Sequence, residues 1–499
     1  MHVLSRISRL ATVLAVVFVA SCGGGNGSTT PVTTTPSTFS IGGSVTGLGS
    51  GVSVILLDNG SDSSTVSANG VFTFPTPLAT GATYNVTVGT QPSNQACTVT
   101  NGSGTVGSAN VTSVQVACAN LQFAYVANYN SNNVSAYSIN ATSGTLTPVT
   151  GSPFTAGTSP ISVTVNRAGT FAYVLNNMSI NVSAYSINAT TGVLTQITGS
   201  PFTAGSYPYS VTVNPAGTFA YVANSGGNVS AYSINATTGA LTQVAGSPFT
   251  AATNPISVTV NPAGTFAYVA NNASANVSAY SINATTGALT PVTGSPFAAG
   301  SFPFSVTVNP AGTFAYVAND ASYNVSAYSI NATTGVLTQV TGSPFATGLN
   351  PHSVTVNPAG TFAYVANYNS NNVSAYSINA TTGVLTLVGS VAAGSNPNSV
   401  TVNPAGTFAY VANFNSSNVS AYSINATTGV LTPVTGSPFT TGTIPTSVTV
   451  NPAGTFAYVA NAGSNTVSAY SINATTGVLT QVAGSPFTAG SYPYSVVTF

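Results

Sequence analysis

The tetrapeptide Phe-Ala-Tyr-Val begins at Phe123, Phe171, Phe219, Phe266, Phe314, Phe362, Phe408 and Phe456, at spacings of 48, 48, 47, 48, 48, 46 and 48 residues. Eight near-identical units cannot fold around one irregular core. Each unit is a supersecondary block that buries its faces only against its neighbours, and this interval is that of four-stranded propeller blades.

Turn residues place the strands. In the fifth unit, strand A is Ser305 to Val308, followed by Asn309-Pro310-Ala311-Gly312. Pro at the second and Gly at the fourth position mark a type I turn. Strand B is Phe314 to Asn319, strand C Val325 to Ile330 and strand D Val336 to Val340. Asn331 to Gly335 forms the C–D turn, in which Asn bonds its own downstream backbone. The Ser343-Pro344-Phe345 stretch is expected to cross to the next blade. In strands B and C bulky Phe, Tyr and Ile alternate with small Ala and Ser, so large residues of one blade can meet small ones of the next. Ring closure buries both faces and leaves short edges. The first copy lacks a preceding Ser-Val-Thr-Val, and the sequence finishes on Ser495-Val496-Val497-Thr498-Phe499, a lone strand A. That strand completes the first blade. The expected fold is all-β, a propeller of about eight four-stranded blades over 121–499. Seven is the alternative if one terminal unit docks elsewhere.

The units resemble the lactonase-type propellers, which include 6-phosphogluconolactonases and surface proteins with Tyr-Val-Thr-Asn repeats. The signature stands here as Tyr-Val-Ala-Asn, for example Tyr316 to Asn319. The resemblance spans 121–499. It implies the propeller fold and, as one candidate activity, hydrolysis of a sugar lactone. One fold hosts many functions, so activity must be argued from a site.

The sequence ahead of the repeats divides into three. Residues 1–21 read as a signal peptide: His2, Arg6 and Arg9, then an apolar run from Leu10 to Ala20, too short to span a bilayer. The run ends Val19-Ala20-Ser21-Cys22, which resembles a bacterial lipobox and implies lipidation of Cys22. More than one acyl chain makes such an anchor durable. Residues 22–38, rich in Gly, Ser, Thr and Pro, read as a flexible tether. These features imply an exported chain, lipid-anchored in the bacterial envelope at the outer membrane or cell surface. Residues 39–120 carry short alternating runs separated by Gly, Asn and Asp clusters, the pattern of a small β-sandwich. Cys97 and Cys118 lie there. In an oxidising compartment with no His nearby a disulfide is expected.

Composition then limits function. There is no Glu, Lys or Trp; the cations are Arg6, Arg9 and Arg167, and the side-chain carboxylates are Asp58, Asp62 and Asp320. The chain is 1% charged, against about 25% in an average soluble domain. Nucleic acid is excluded as a partner, because phosphate binding needs clustered Lys and Arg. Nothing requires a cofactor. Asn carbonyls can hold calcium weakly, but no spacing supports a site, and one Asp with one His is a thin ligand set. A monomer is expected.

Within the repeats only Arg167, Asp320 and His352 bring charge or acid–base chemistry. Arg167 replaces Pro in an A–B turn, at the opposite end of a blade from Asp320, and reads as a solvated turn residue. Asp320 follows strand B and reads first as a variable loop residue. His352 precedes strand A, in a slot otherwise filled by Ile161, Tyr209, Ile256, Phe304, Asn398, Thr446 and Tyr494. That slot is expected to line one mouth of the ring. Two functions follow. A mildly aromatic, uncharged ring suits a glycan or a protein loop, making the propeller a binding scaffold. Alternatively His352 is the base, oriented by Asp320, of a lactonase for a neutral lactone; a phosphorylated substrate would lack a cation on that face.

Overall fold

The computed structural model describes residues 36–92 and 95–499. The signal peptide, Cys22 and nearly all of the tether lie outside the described residues.

Two four-stranded sheets and a two-stranded pair, Thr38–Phe39 with Leu78–Ala79, make up the small N-terminal unit. One runs Gly70–Thr73, Ile41–Thr46, Val111–Asn120, Gln95–Thr100; the other runs Asp62–Val66, Val54–Asp58, Thr83–Thr90, Ser103–Thr105. Alternation puts Ile41, Val45, Val54, Leu56, Val114 and Val116 into one core between them. Cys97 and Cys118 are directly paired on neighbouring strands and joined by a disulfide. Closing a loop of 21 residues constrains the unfolded chain by about 3 kcal/mol in the chain-entropy model. After Asn120 only Leu121 separates this unit from the first propeller strand, Gln122–Asn128.

The rest of the chain is a ring of eight blades. Blade 5 is typical: strand A is Pro303–Val308, B Phe314–Asn319, C Asn324–Ile330 and D Leu337–Gln339, paired in that order. Strand A begins at the proline, earlier than the sequence pattern suggests, and D is shorter. The Ser-Pro-Phe stretch is more than a crossing. Phe345–Ala346 returns to pair with the far end of strand C, so each such blade has a broken outer edge. Blade 1 takes strands B to D from Gln122–Asn128, Asn133–Ile139 and Leu146–Pro148, and its strand A from Pro493–Thr498 at the other end of the chain. The eight A strands stand side by side around a channel, with Pro493–Thr498 between Pro160–Val165 and Pro445–Val450. The ring is therefore closed at eight.

Blade packing follows the large–small alternation. Phe266, Tyr268 and Ala270 of blade 4 meet Ala315, Val317, Tyr328 and Ile330 of blade 5 in one buried cluster. Two tyrosines per blade add directional bonds. The strand B tyrosine donates to a turn glycine carbonyl of the next blade, as Tyr268 to Gly335 at 3.1 Å, and Tyr458 of blade 8 donates to Gly144 of blade 1. The strand C tyrosine donates backwards, as Tyr328 to the Ala298 carbonyl at 2.5 Å. The asparagine that ends Tyr-Val-Ala-Asn is a clasp. Buried Asn319 donates through Nδ2 to Asn324 Oδ1 and Ser326 Oγ, tying strands B and C at the channel-mouth end. Asn309 holds the other end, accepting the backbone N–H of Thr313 and Phe314.

The residue before strand C has positive φ in all eight blades, which suits Gly227, Asn132, Asn371 and Asn465 but not Ile180, at φ 57°. A left-handed non-glycine costs roughly 1–2 kcal/mol, least for Asn. Ile180→Asn is therefore expected to stabilise the chain by about 1 kcal/mol, read as a raised chemical-denaturation midpoint at unchanged slope. An unchanged or lowered midpoint contradicts this account of the turn.

Candidate functional site

Strand A begins with proline at the mouth, and a register shift just after it turns the next side chain into the channel along with the serine that follows. Ile161, Tyr209, Ile256, Phe304, His352, Asn398, Thr446 and Tyr494 thus line a cavity of about 300 Å³, backed by eight serines from Ser162 to Ser495. All the slot residues named from the sequence are in this wall.

A second ring surrounds the first. Strand B ends at the same mouth, and the residue after it is Tyr129, Asn177, Ser225, Asn272, Asp320, Tyr368, Phe414 or Ala462. Here a side chain reaches the next blade: Asn177 Nδ2 donates to the Pro208 carbonyl at 2.9 Å. In blade 5 the same reach brings Asp320 Oδ1 to 3.3 Å from His352 Nε2. The contact that strand order alone left open is made. The two side chains are 23% and 18% exposed.

His352 is held on every side. Its ring stacks on Phe304, with centroids 4.5 Å apart, and on Tyr368, at 4.3 Å. Nδ1 lies 3.1 Å from Asn398 Oδ1, and Asn398 Nδ2 donates to the Thr446 carbonyl, which fixes that amide. Both ring nitrogens therefore face oxygen acceptors. A neutral imidazole has one N–H and satisfies one of them; the imidazolium satisfies both.

The aromatic stack continues from Tyr368 to Phe414, with centroids 6.2 Å apart. A second aromatic group lies over blade 1, where Tyr129 is 5.9 Å from Tyr492 and 6.4 Å from Tyr494. Burial first, then the neighbouring Tyr209 hydroxyl, holds the Tyr494 phenol above its ordinary pKa. Burial, then the Tyr492 phenol, does the same to Tyr368. Exposed Met178, Tyr207, Phe302, Tyr323 and Leu349 sit on loops around this mouth and make its rim apolar.

Arg167 is not part of this site. It lies in an A–B turn at the opposite end of the channel, beside Phe499 and Pro452. No group of three or more His, Cys, Asp or Glu suited to a metal occurs among the described residues.

A family model described as "Lactonase, 7-bladed beta-propeller" matches residues 94–206, 198–299, 344–438 and 402–497, well over half of the chain. The chain belongs to this lactonase propeller family. It closes with eight blades where the family's description gives seven. Solved structures similar to it include a putative 6-phosphogluconolactonase from Bacteroides uniformis, 17% identical over 76% of this chain and 99% of that one, with a TM-score of 0.55. The periplasmic gluconolactonase PpgL of Pseudomonas aeruginosa is 16% identical over 76% and 99%, at 0.53. Apo AztD of Citrobacter koseri is 12% identical over 76% and 98%, at 0.52. At such identity the likeness is one of fold. None of the curated proteins matches the sequence.

The second ring was visible in the sequence as variation straight after Tyr-Val-Ala-Asn, which stands in seven of the eight units and as Tyr-Val-Leu-Asn at Tyr173–Asn176, yet it reads there as loop. The signal was positional: two variable slots in otherwise uniform units, both at the same blade end.

Proposed function

We propose that this lactonase-type propeller is a binding module, tethered to the cell envelope through Cys22, whose channel mouth holds a neutral, sugar-like ligand. The observation that carries the reading is the state of His352: its faces are covered by Phe304 and Tyr368, Nδ1 is bonded to Asn398, and Nε2 lies 3.3 Å from Asp320 Oδ1. A general base must reach the proton it removes, and here the imidazole is part of the wall. What the mouth offers instead is aromatic faces, hydroxyls and amides without net charge, the surface that suits a ring with apolar C–H faces and hydroxyl edges. A phosphorylated ligand is disfavoured, since Arg167, the one Lys or Arg among the described residues, is at the far end.

A second reading has one specific support. Asp320 and His352 are a carboxylate–imidazole pair on the wall of a channel in a lactonase family. In that reading Asp320 orients His352, which takes a proton from water as the water oxygen bonds to the lactone carbonyl carbon; the ring C–O bond then breaks and the imidazolium returns the proton to the leaving oxygen. For this Asn398 must give up Nδ1.

Titration calorimetry with neutral oligosaccharides and lactones, beside a hydrolysis assay on neutral and phosphorylated sugar lactones, separates the two. The expected result is saturable binding of a neutral sugar, weakened about tenfold or more in Phe304→Ala and in Tyr368→Ala, with no turnover. Hydrolysis that disappears in His352→Ala establishes the enzyme and ends the binding-only reading.

A further inference from the structure

Seven of the eight blades guard their outer edge in the same way. Strand D is three residues long, a Ser-Pro step interrupts it, and two residues then resume pairing, as at Leu337–Gln339 and Phe345–Ala346. Proline has no N–H to offer a further strand, and short broken edges resist edge-to-edge pairing. Charged residues, the other common guard, are nearly absent from this chain.

Blade 6 lacks the guard. Its outer strand runs unbroken from Leu385 to Ala392, eight residues of sequence Leu-Thr-Leu-Val-Gly-Ser-Val-Ala, paired with Asn372–Ile378 along its length apart from one bulge at Val388. The strand is about 26 Å long at 3.3 Å per residue. It holds no proline and no charge, Thr386, Ser390 and Ala392 are exposed, and Leu387 is 54% exposed. Among the described residues no strand pairs with its outer side.

We propose that this edge is a self-association site, pairing antiparallel with the same strand of a second copy, in place of the monomer expected from the sequence. Antiparallel pairing of a strand with itself is two-fold symmetric, so both copies use one surface and the contact is closed. Only one edge per propeller is open, and assembly stops at two. Charge, which ordinarily keeps identical chains apart, is sparse here, with three Lys or Arg and three Asp or Glu in the whole sequence.

The test uses the full chain in sedimentation velocity from about 1 µM to about 100 µM, the range of weak dimers. One variant, Leu387→Lys, puts a charge on the edge. A second replaces residues 387–391 with the Gln-Val-Thr-Gly-Ser-Pro-Phe of blade 5, giving blade 6 the guard its neighbours carry and a sequence already shown to fit this ring. The expected result is a dimer for the parent chain and at least a tenfold weaker association for both variants, with unchanged circular dichroism. A parent chain that stays monomeric throughout overturns the proposal. So does a dimer that survives in the grafted variant.

Discussion

Raised through pH 10 to 12, the propeller is expected to lose its fold in one cooperative step. Sixteen tyrosines, eight in strand B and eight in strand C, are buried between blades, and burial raises every one of them above the ordinary value of 10. Tyr137, Tyr185, Tyr232, Tyr280, Tyr328 and Tyr422 are pushed up to about 12, and the strand B group goes further. Above pH 10 the unfolded chain releases these protons and the folded chain keeps them. Unfolding then releases protons, and stability falls as pH rises. Below pH 10 the contribution is present in full. Each strongly raised group is worth about 1.4 kcal/mol per pH unit, so the fourteen with the largest rises, all but Tyr376 and Tyr470, remove roughly 20 kcal/mol per unit. That exceeds the 5–15 kcal/mol by which proteins are ordinarily stable. Circular dichroism and phenolate absorbance should therefore change together, within about one unit above pH 10. Smooth titration near pH 10 with the fold intact would contradict the blade interfaces described above. The acid side should be flat by comparison. Acid unfolding works by protonating paired carboxylates, and the sequence has three.

The second large effect belongs to a glycine. Gly335 closes the C–D turn of blade 5 at φ +71°, and a Cβ there would stand 2.2 Å from Cδ1 of Phe266 in blade 4. The same close approach recurs at Gly192 on Phe123 and Gly144 on Phe456. Gly335→Ala combines left-handed strain of about 1–2 kcal/mol with overpacking of about 1–3 kcal/mol, so a loss of about 3 kcal/mol or more is expected. Gly342→Ala is the control. Its φ is +84°, but its Cβ would meet only Phe345 of its own blade, at an ordinary 3.5 Å. It should carry the strain alone. Equal losses in denaturant titration would show that the interface does not press on this turn. Because the Gly335 carbonyl also receives Tyr268, the substitution tests that bond's seat as well.

Much of this was legible because a repeat multiplies weak signals. One Asn-Pro-Ala-Gly is a plausible turn; one in nearly every unit, each before Thr-Phe-Ala-Tyr, fixes strands A and B. The lone strand at Ser495 announced closure in the same way. Two things resisted. Phe345–Ala346 pairs with strand C only because the chain doubles back after Pro344, a tertiary arrangement that period and propensity do not encode. The Asp320–His352 contact joins neighbouring blades, and its distance depends on how far the ring's curvature separates them at the mouth. Slot variation gave the right blade end for both residues but no measure of that reach. The residues holding His352 were scattered as well: Tyr368 in its own blade, Phe304 in the one before and Asn398 in the one after.

The Tyr–Gly bonds between blades have a consequence for how such a chain can change. Each donor finds an acceptor of the same kind in whichever unit comes next, including across the seam from Tyr458 to Gly144. Unequal recombination that adds or removes one unit of about 48 residues would leave every such bond a partner, and would alter only the angle each unit subtends. The dimension released for selection is then the bore of the pore, and with it the size of what the mouth admits. Inheritance of this chain can proceed by whole blades, while discrimination among ligands is left to the few lining positions that the copying does not hold alike.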